Sequence, residues 1–117
     1  MKETAAIEVE DTIFNNIYSF QVPDLSTVMG TFRIVAIEDE NTGQATFIRT
    51  ATWFREGGTA QLMGVIQSDY TNKSNLDFDV EFTRTGSTVF LNIKNANSKK
   101  TRWMATIELD IMINEAP

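Results

Sequence analysis

The chain has 117 residues, 42% of them hydrophobic, with no cysteine, no histidine, a formal net charge of -6 and a pI of about 4.5. Such a length suits one domain, and such a hydrophobic share suits a core that needs no metal or disulfide staple. The missing thiols and imidazoles exclude Ser-His-Asp and Cys-His catalysis and most transition-metal sites, and the acidic surface argues against nucleic acid, whose affinity comes from neutralised phosphates.

The N-terminus, Met1 to Glu8, carries a basic residue but no apolar h-region, so it does not read as a signal peptide. No apolar run approaches the roughly 20 residues that span a bilayer. Synthesis in the cytoplasm without membrane insertion is the expectation, and the run from Met1 to a final strand reads as a whole small protein. Ile13 to Val22 and Thr31 to Glu38 are strand candidates. Pro23-Asp24 breaks the first, and Asp24 to Val28 has room for a short helical turn. Residues 1–40 are patterned less cleanly than the rest, which leaves open an N-terminal arm or attachment segment within a single domain over 1–117.

From Gln44 onward the period is two. Gln44 to Arg55 is a strand with Ala45, Phe47, Ala51 and Trp53 on one face and Ile48 and Phe54 on the other. Thr59 to Gln67 places Ala60, Leu62, Gly64 and Ile66 opposite Met63 and Val65. Tyr70 to Asn75 reads as a polar connector crossing between sheets. Leu76, Phe78, Val80 and Phe82 alternate with Asp77, Asp79, Glu81 and Thr83. Val89, Leu91 and Ile93 form a further apolar file, opposed by Phe90. The longest file is Trp103, Ala105, Ile107, Leu109, Ile111 and Ile113, opposed by Met104 and Met112. The turns Glu40-Asn41-Thr42-Gly43, Glu56-Gly57-Gly58 and Arg84-Thr85-Gly86-Ser87 punctuate these runs, and Asn95 to Lys100 is a longer polar loop. Seven to eight short strands of this kind predict an all-β fold, an antiparallel β-sandwich.

Few residue groups suggest chemistry. Asp77, Asp79 and Glu81 have the spacing of a calcium site or of paired catalytic carboxylates, yet the wet face of an amphipathic strand beside Lys94 or Arg84 explains them without function. Glu38-Asp39-Glu40-Asn41 lacks the spacing and terminal glutamate of a calcium loop and reads as turn chemistry. Lys99-Lys100-Thr101-Arg102 is the one basic run and reads as a solvated loop or a contact for an acidic neighbour. No cofactor is expected. Trp53, Trp103 and Tyr70 could stack a sugar, but both tryptophans sit in core files, which leaves Tyr18 and Tyr70 as weak ligand candidates.

More informative are apolar residues on the outward faces. Ile48, Phe54, Met63, Val65, Phe90, Met104 and Met112 cannot all be buried if their strands turn one face to water. A monomer rarely exposes a large contiguous apolar patch, so these seven are candidate interface residues.

The stretch Arg49-Thr50-Ala51-Thr52-Trp53-Phe54-Arg55-Glu56-Gly57-Gly58-Thr59-Ala60-Gln61-Leu62-Met63-Gly64 resembles a hairpin of small β-sandwich domains in tailed-bacteriophage virion proteins. Such domains follow it with a strand pair, here Phe78 to Arg84 and Thr88 to Lys94, and close on a basic-tryptophan strand, here Lys100 to Glu108. The likeness covers residues 44–110. In the family a long fibrous or catalytic region usually precedes such domains, and residues 1–117 do not include one. The resemblance implies a non-enzymatic virion component of tail, neck, head-fibre or capsid-decoration type, often trimeric. Its partners would be other virion proteins and further copies of itself. A carbohydrate- or receptor-binding module, with a host-surface glycan as its partner, is the alternative, and a glycosidase using Asp77 and Asp79 is a distant third.

Overall fold

The computed structural model describes residues 1–114. Eight strands form two antiparallel sheets: β1 (Lys2–Val9), β2 (Asn15–Gln21), β3 (Ser26–Glu38), β4 (Gln44–Arg55), β5 (Gln61–Lys73), β6 (Asp79–Thr85), β7 (Thr88–Lys94) and β8 (Thr101–Ile113). One sheet has five strands in the order β1-β8-β3-β4-β5, and the other has three in the order β2-β7-β6. The all-β sandwich expected from the alternation is the fold observed.

Alternation decides which face each strand buries. On β3, Val28, Phe32, Ile34 and Ala36 are buried, and on β8 Trp103, Ala105, Ile107 and Leu109 are buried. Val89, Leu91 and Ile93 of β7 meet them from the opposite sheet. Aromatic rings fill the space in two groups. Phe20, Phe32, Trp53 and Phe82 form the first, with the Phe32 and Phe82 centroids 4.8 Å apart. Phe47, Trp103 and Phe78 form the second, with 6.3 Å between the Phe47 and Trp103 rings. Gly30 is the space that Phe32 needs, since a Cβ there would lie 2.6 Å from the Phe32 ring.

Two buried polar side chains tie the loop ends to this core. Asn95 Nδ2 donates to the Val9 carbonyl at 2.7 Å, and the Trp103 Nε1–H donates to Asn95 Oδ1 at 2.7 Å. The Glu38 carboxylate accepts from Thr42 Oγ1 and Asn97 Nδ2, each at 3.0 Å. It closes the 3-10 turn Asp39–Asn41 onto the loop before β8. Among the described residues no buried side-chain nitrogen or oxygen is left without a partner, as close packing requires.

Several expectations need correction. Residues 2–38 are not a separate arm: they form β1, β2 and the central β3. Asp24 and Leu25 make a turn, not a helical segment, and β3 begins at Ser26. Tyr70 to Lys73 belong to β5, because β4 supplies a pairing edge as far as Ala45, so the crossing between sheets runs through residues 74–78. Leu76 lies in that crossing, 84% exposed, and β6 starts only at Asp79. Ile111 and Ile113 leave the core file because β1 stops pairing with β8 at Glu108, which uncovers the far end of β8.

Candidate assembly face

The outer face of the five-stranded sheet is laid out in rows by the strand register. Along β3 it presents Thr27, Met29, Thr31, Arg33, Val35 and Ile37. Thr27 sits between Met112 of β8 and Phe54 of β4. Met29 sits between Asp110 and Thr52, and Thr52 in turn pairs with Met63 of β5. Arg33 lies between Thr106 and Ile48, and Ile48 pairs with Tyr70. Val35 lies between Met104 and Thr46, and Met104 pairs with Ala6 of β1.

Two apolar patches result, one at each end of the face. At one end Met112 is 77% exposed and Met63 52%, and Leu25, Thr27, Phe54 and Met112 line a cavity of ≈ 480 Å³. At the other end Met104 is 48% exposed, and Ala6, Val35, Ile37 and Met104 line an open groove of ≈ 520 Å³. Threonines and Arg33 separate the patches. Exposed apolar area of this extent on one sheet face is the usual mark of a surface that another molecule covers.

Of the seven interface candidates, the register brings Ile48, Phe54, Met63, Met104 and Met112 onto this face. Val65 sits at the edge, in an irregular stretch of β5 where Gly64, Val65 and Ile66 lie between the partners of Thr50 and Thr52. Gly64 adopts φ 73° there, a left-handed conformation that suits glycine. Phe90 does not join the group: it lies on β7, paired with Ser19 and Thr83 in the three-stranded sheet. Two members were missed, Met29 and Val35, although both parities of Ser26–Glu38 carry apolar residues and could have revealed them.

Apart from Phe90, the outer face of the three-stranded sheet is largely polar. Asn92 Nδ2 donates to Glu81 Oε2 at 3.2 Å and to Thr83 Oγ1 at 3.1 Å. Asp79 pairs in register with Lys94 and its Oδ1 accepts from the Val80 amide. Asp77 precedes β6, so the three carboxylates do not share one strand face. Among the described residues no group of three or more acidic side chains is placed to hold a metal ion.

The tyrosines separate. Tyr18 is not free: it faces inward on β2, and burial, the hydrogen bond to the Glu3 carboxylate and that carboxylate's charge push its phenol up to about 12. The contact joins β2 of one sheet to β1 of the other. Tyr70 is exposed on β5, where its hydroxyl accepts from Asn72 Nδ2 at 3.3 Å. Arg49 donates to the Tyr70 carbonyl at 2.8 Å, and burial lowers its pKa while Asp79 and Asp69 oppose that shift. Trp53 and Trp103 are each 1% exposed and serve the core, as their files imply.

No family model and no curated protein matches the chain. Among solved structures it is similar to the crystal structure of the Acinetobacter baumannii phage AM24 tailspike protein. The TM-score is 0.53 at 9% identity, over 93% of this chain and 26% of that one. What the two share is a fold. This chain therefore spans about a quarter of the spike. A tailspike protein of the A. baumannii bacteriophage Fri1, described as a capsular polysaccharide depolymerase, gives a TM-score of 0.47 at 13% identity, over 95% of this chain and 19% of that one.

Proposed function

We propose that this chain is a non-enzymatic structural component of a bacteriophage particle, in the tail, at the neck or on the capsid surface. It works by self-assembly and by attachment to other virion proteins. The observation that carries this reading is the outer face of the five-stranded sheet, where Met29, Met63 and Met112 stand exposed toward one end and Val35 and Met104 toward the other. The tailspike likeness in fold and the hairpin resemblance over 44–110 both point to a virion setting. The resemblance favours three copies. Catalysis by Asp77 and Asp79 lacks support, since Asp79 is engaged with the Val80 amide and Asp77 lies outside the strand. Glycan binding rests on Tyr70 alone, because both tryptophans are buried.

Size-exclusion chromatography with light scattering, together with binding to purified particles, tests the reading. A mass of several copies is expected. A strict monomer at micromolar concentration that also ignores the particles overturns it.

A further inference from the structure

We propose that β1 is an edge through which two copies join, each pairing its β1 antiparallel with the β1 of the other about a two-fold axis at Ala5. The inference deepens the self-assembly reading above and rests on it.

The first argument is the free edge. β1 ends the order β1-β8-β3-β4-β5, so one side of its main chain has no strand beside it. Met1 and Leu109 exchange two main-chain hydrogen bonds, at 2.9 and 2.8 Å. Such doubly bonded pairs alternate with open ones along an antiparallel ladder. Glu3, Ala5 and Ile7 therefore bond to β8, while Lys2, Thr4, Ala6 and Glu8 turn their N–H and C=O groups to the open side. These four residues are exposed, and β1 holds one register with β8 from Lys2 to Val9. Two other edges are blunted: β5 loses register with β4 twice, and β2 loses register with β7 once.

The second argument is self-complementarity. An axis at Ala5 sets Lys2 opposite the partner's Glu8 and Thr4 opposite the partner's Ala6, and the rotation repeats both pairs. All four open residues are then bonded in pairs. The outer row across the joint reads Arg102, Glu8, the partner's Lys2, the partner's Glu108, with alternating sign throughout. It extends the ion pair that Lys2 already makes with Glu108 at 3.9 Å. On the inner side Ala5 meets the partner's Ala5, and Glu3, held by Tyr18, lies beside the partner's Ile7. An axis at Thr4 sets Lys2 against the partner's Ala6, and one at Ala6 sets Glu8 against the partner's Thr4. Within the strand, the axis at Ala5 is the one that pairs both charges. β6 is a free edge too, but its acids Asp79 and Glu81 and its cation Arg84 have opposite parity. No two-fold register of β6 therefore sets acid opposite base.

The axis stands perpendicular to the sheet. The outer faces of both copies then lie on one side of the joint and stay open to other contacts.

Proline and charge exchange test it. The native mass should be an even multiple of the chain by light scattering. Thr4→Pro removes an N–H from the open side and leaves the β8 ladder whole, so circular dichroism should stay native while association weakens by roughly tenfold or more. Lys2→Glu and Glu8→Lys should each weaken self-association at low salt, because each sets like charges across the joint twice. An equal mixture of these two variants should regain the native mass, since both charge pairs between them are then of opposite sign. An isolated trimer overturns the β1 joint. So does an assembly indifferent to the three substitutions, or a mixture no better associated than its components. Each of these leaves the assembly reading standing, whereas a native monomer removes both.

Discussion

The two outward faces of this sandwich differ in what they leave exposed, although both belong to strands with the same period. The three-stranded sheet turns out Asn92, Glu81 and Thr83, which hydrogen-bond to one another, and Asp79, which accepts from the Val80 amide. The five-stranded sheet turns out Met29, Val35, Met104 and Met112, which hydrogen bonding cannot satisfy. One face is finished within the chain, and the other gains from being covered. The difference teaches that alternation fixes which residues share a face, while the content of the outward half decides whether that face ends at solvent.

The comparison breaks altogether if the layer between the faces is removed. Trp53→Ala should cost about 3–5 kcal/mol, since its ring packs against Phe20, Phe32 and Phe82, and denaturant unfolding would show both sheets lost in one transition. Trp103→Phe should cost less, about 1–3 kcal/mol, because it strips the donor from buried Asn95 Oδ1 while keeping most of the ring packing. The same unfolding measurement checks it, and an unchanged midpoint would show that Asn95 finds another donor.

Surface exchanges sharpen the contrast. Met29→Thr with Met104→Thr should change the unfolding free energy of the isolated subunit by roughly 0.5 kcal/mol or less per site, yet lower the assembled mass seen by light scattering. Phe90→Thr on the other sheet should leave that mass unchanged. Equal effects from the two faces would erase the distinction drawn between them.

The smallest effect concerns the junction of the two sheets. The folded phenol of Tyr18 titrates at about 12 against an ordinary value of 10.0, so the folded state holds its proton more tightly. Its contribution is complete below pH 10 and disappears as pH rises toward 12. Tyr18→Phe should therefore flatten the loss of stability across that window, as read from alkaline unfolding. An unaltered alkaline profile would show that the Glu3 contact does not couple the sheets.

Much of the fold was legible where one parity is strongly apolar. Gln44 to Arg55 coincides with β4, and the Trp103 file marks β8, because aromatic and β-branched residues recur there at every second position. β1 was invisible for the opposite reason: Lys2–Val9 offers only Ala5, Ile7 and Val9 on its inward side, and small residues at a sheet edge leave a faint signal. The polar half of β5, Gln67 to Lys73, carries no apolar file and is a strand because β4 supplies an edge to pair with. The assembly face was half legible. Met63, Phe54, Met104 and Met112 stood out as unmatched residues, but Phe90 stood out equally and belongs to the other sheet.

The sequence by itself determined the period, the fold class and the set of side chains that point away from each strand's buried file, since these follow from a two-residue repeat and the cost of exposing apolar surface. Tertiary structure alone decided which strands are neighbours. Hydrogen-bonded pairing joins residues distant in sequence, such as Met104 with Val35 and Met29 with Thr52, and no local pattern records that choice. Scattered methionines therefore become one face only after the sheet has formed.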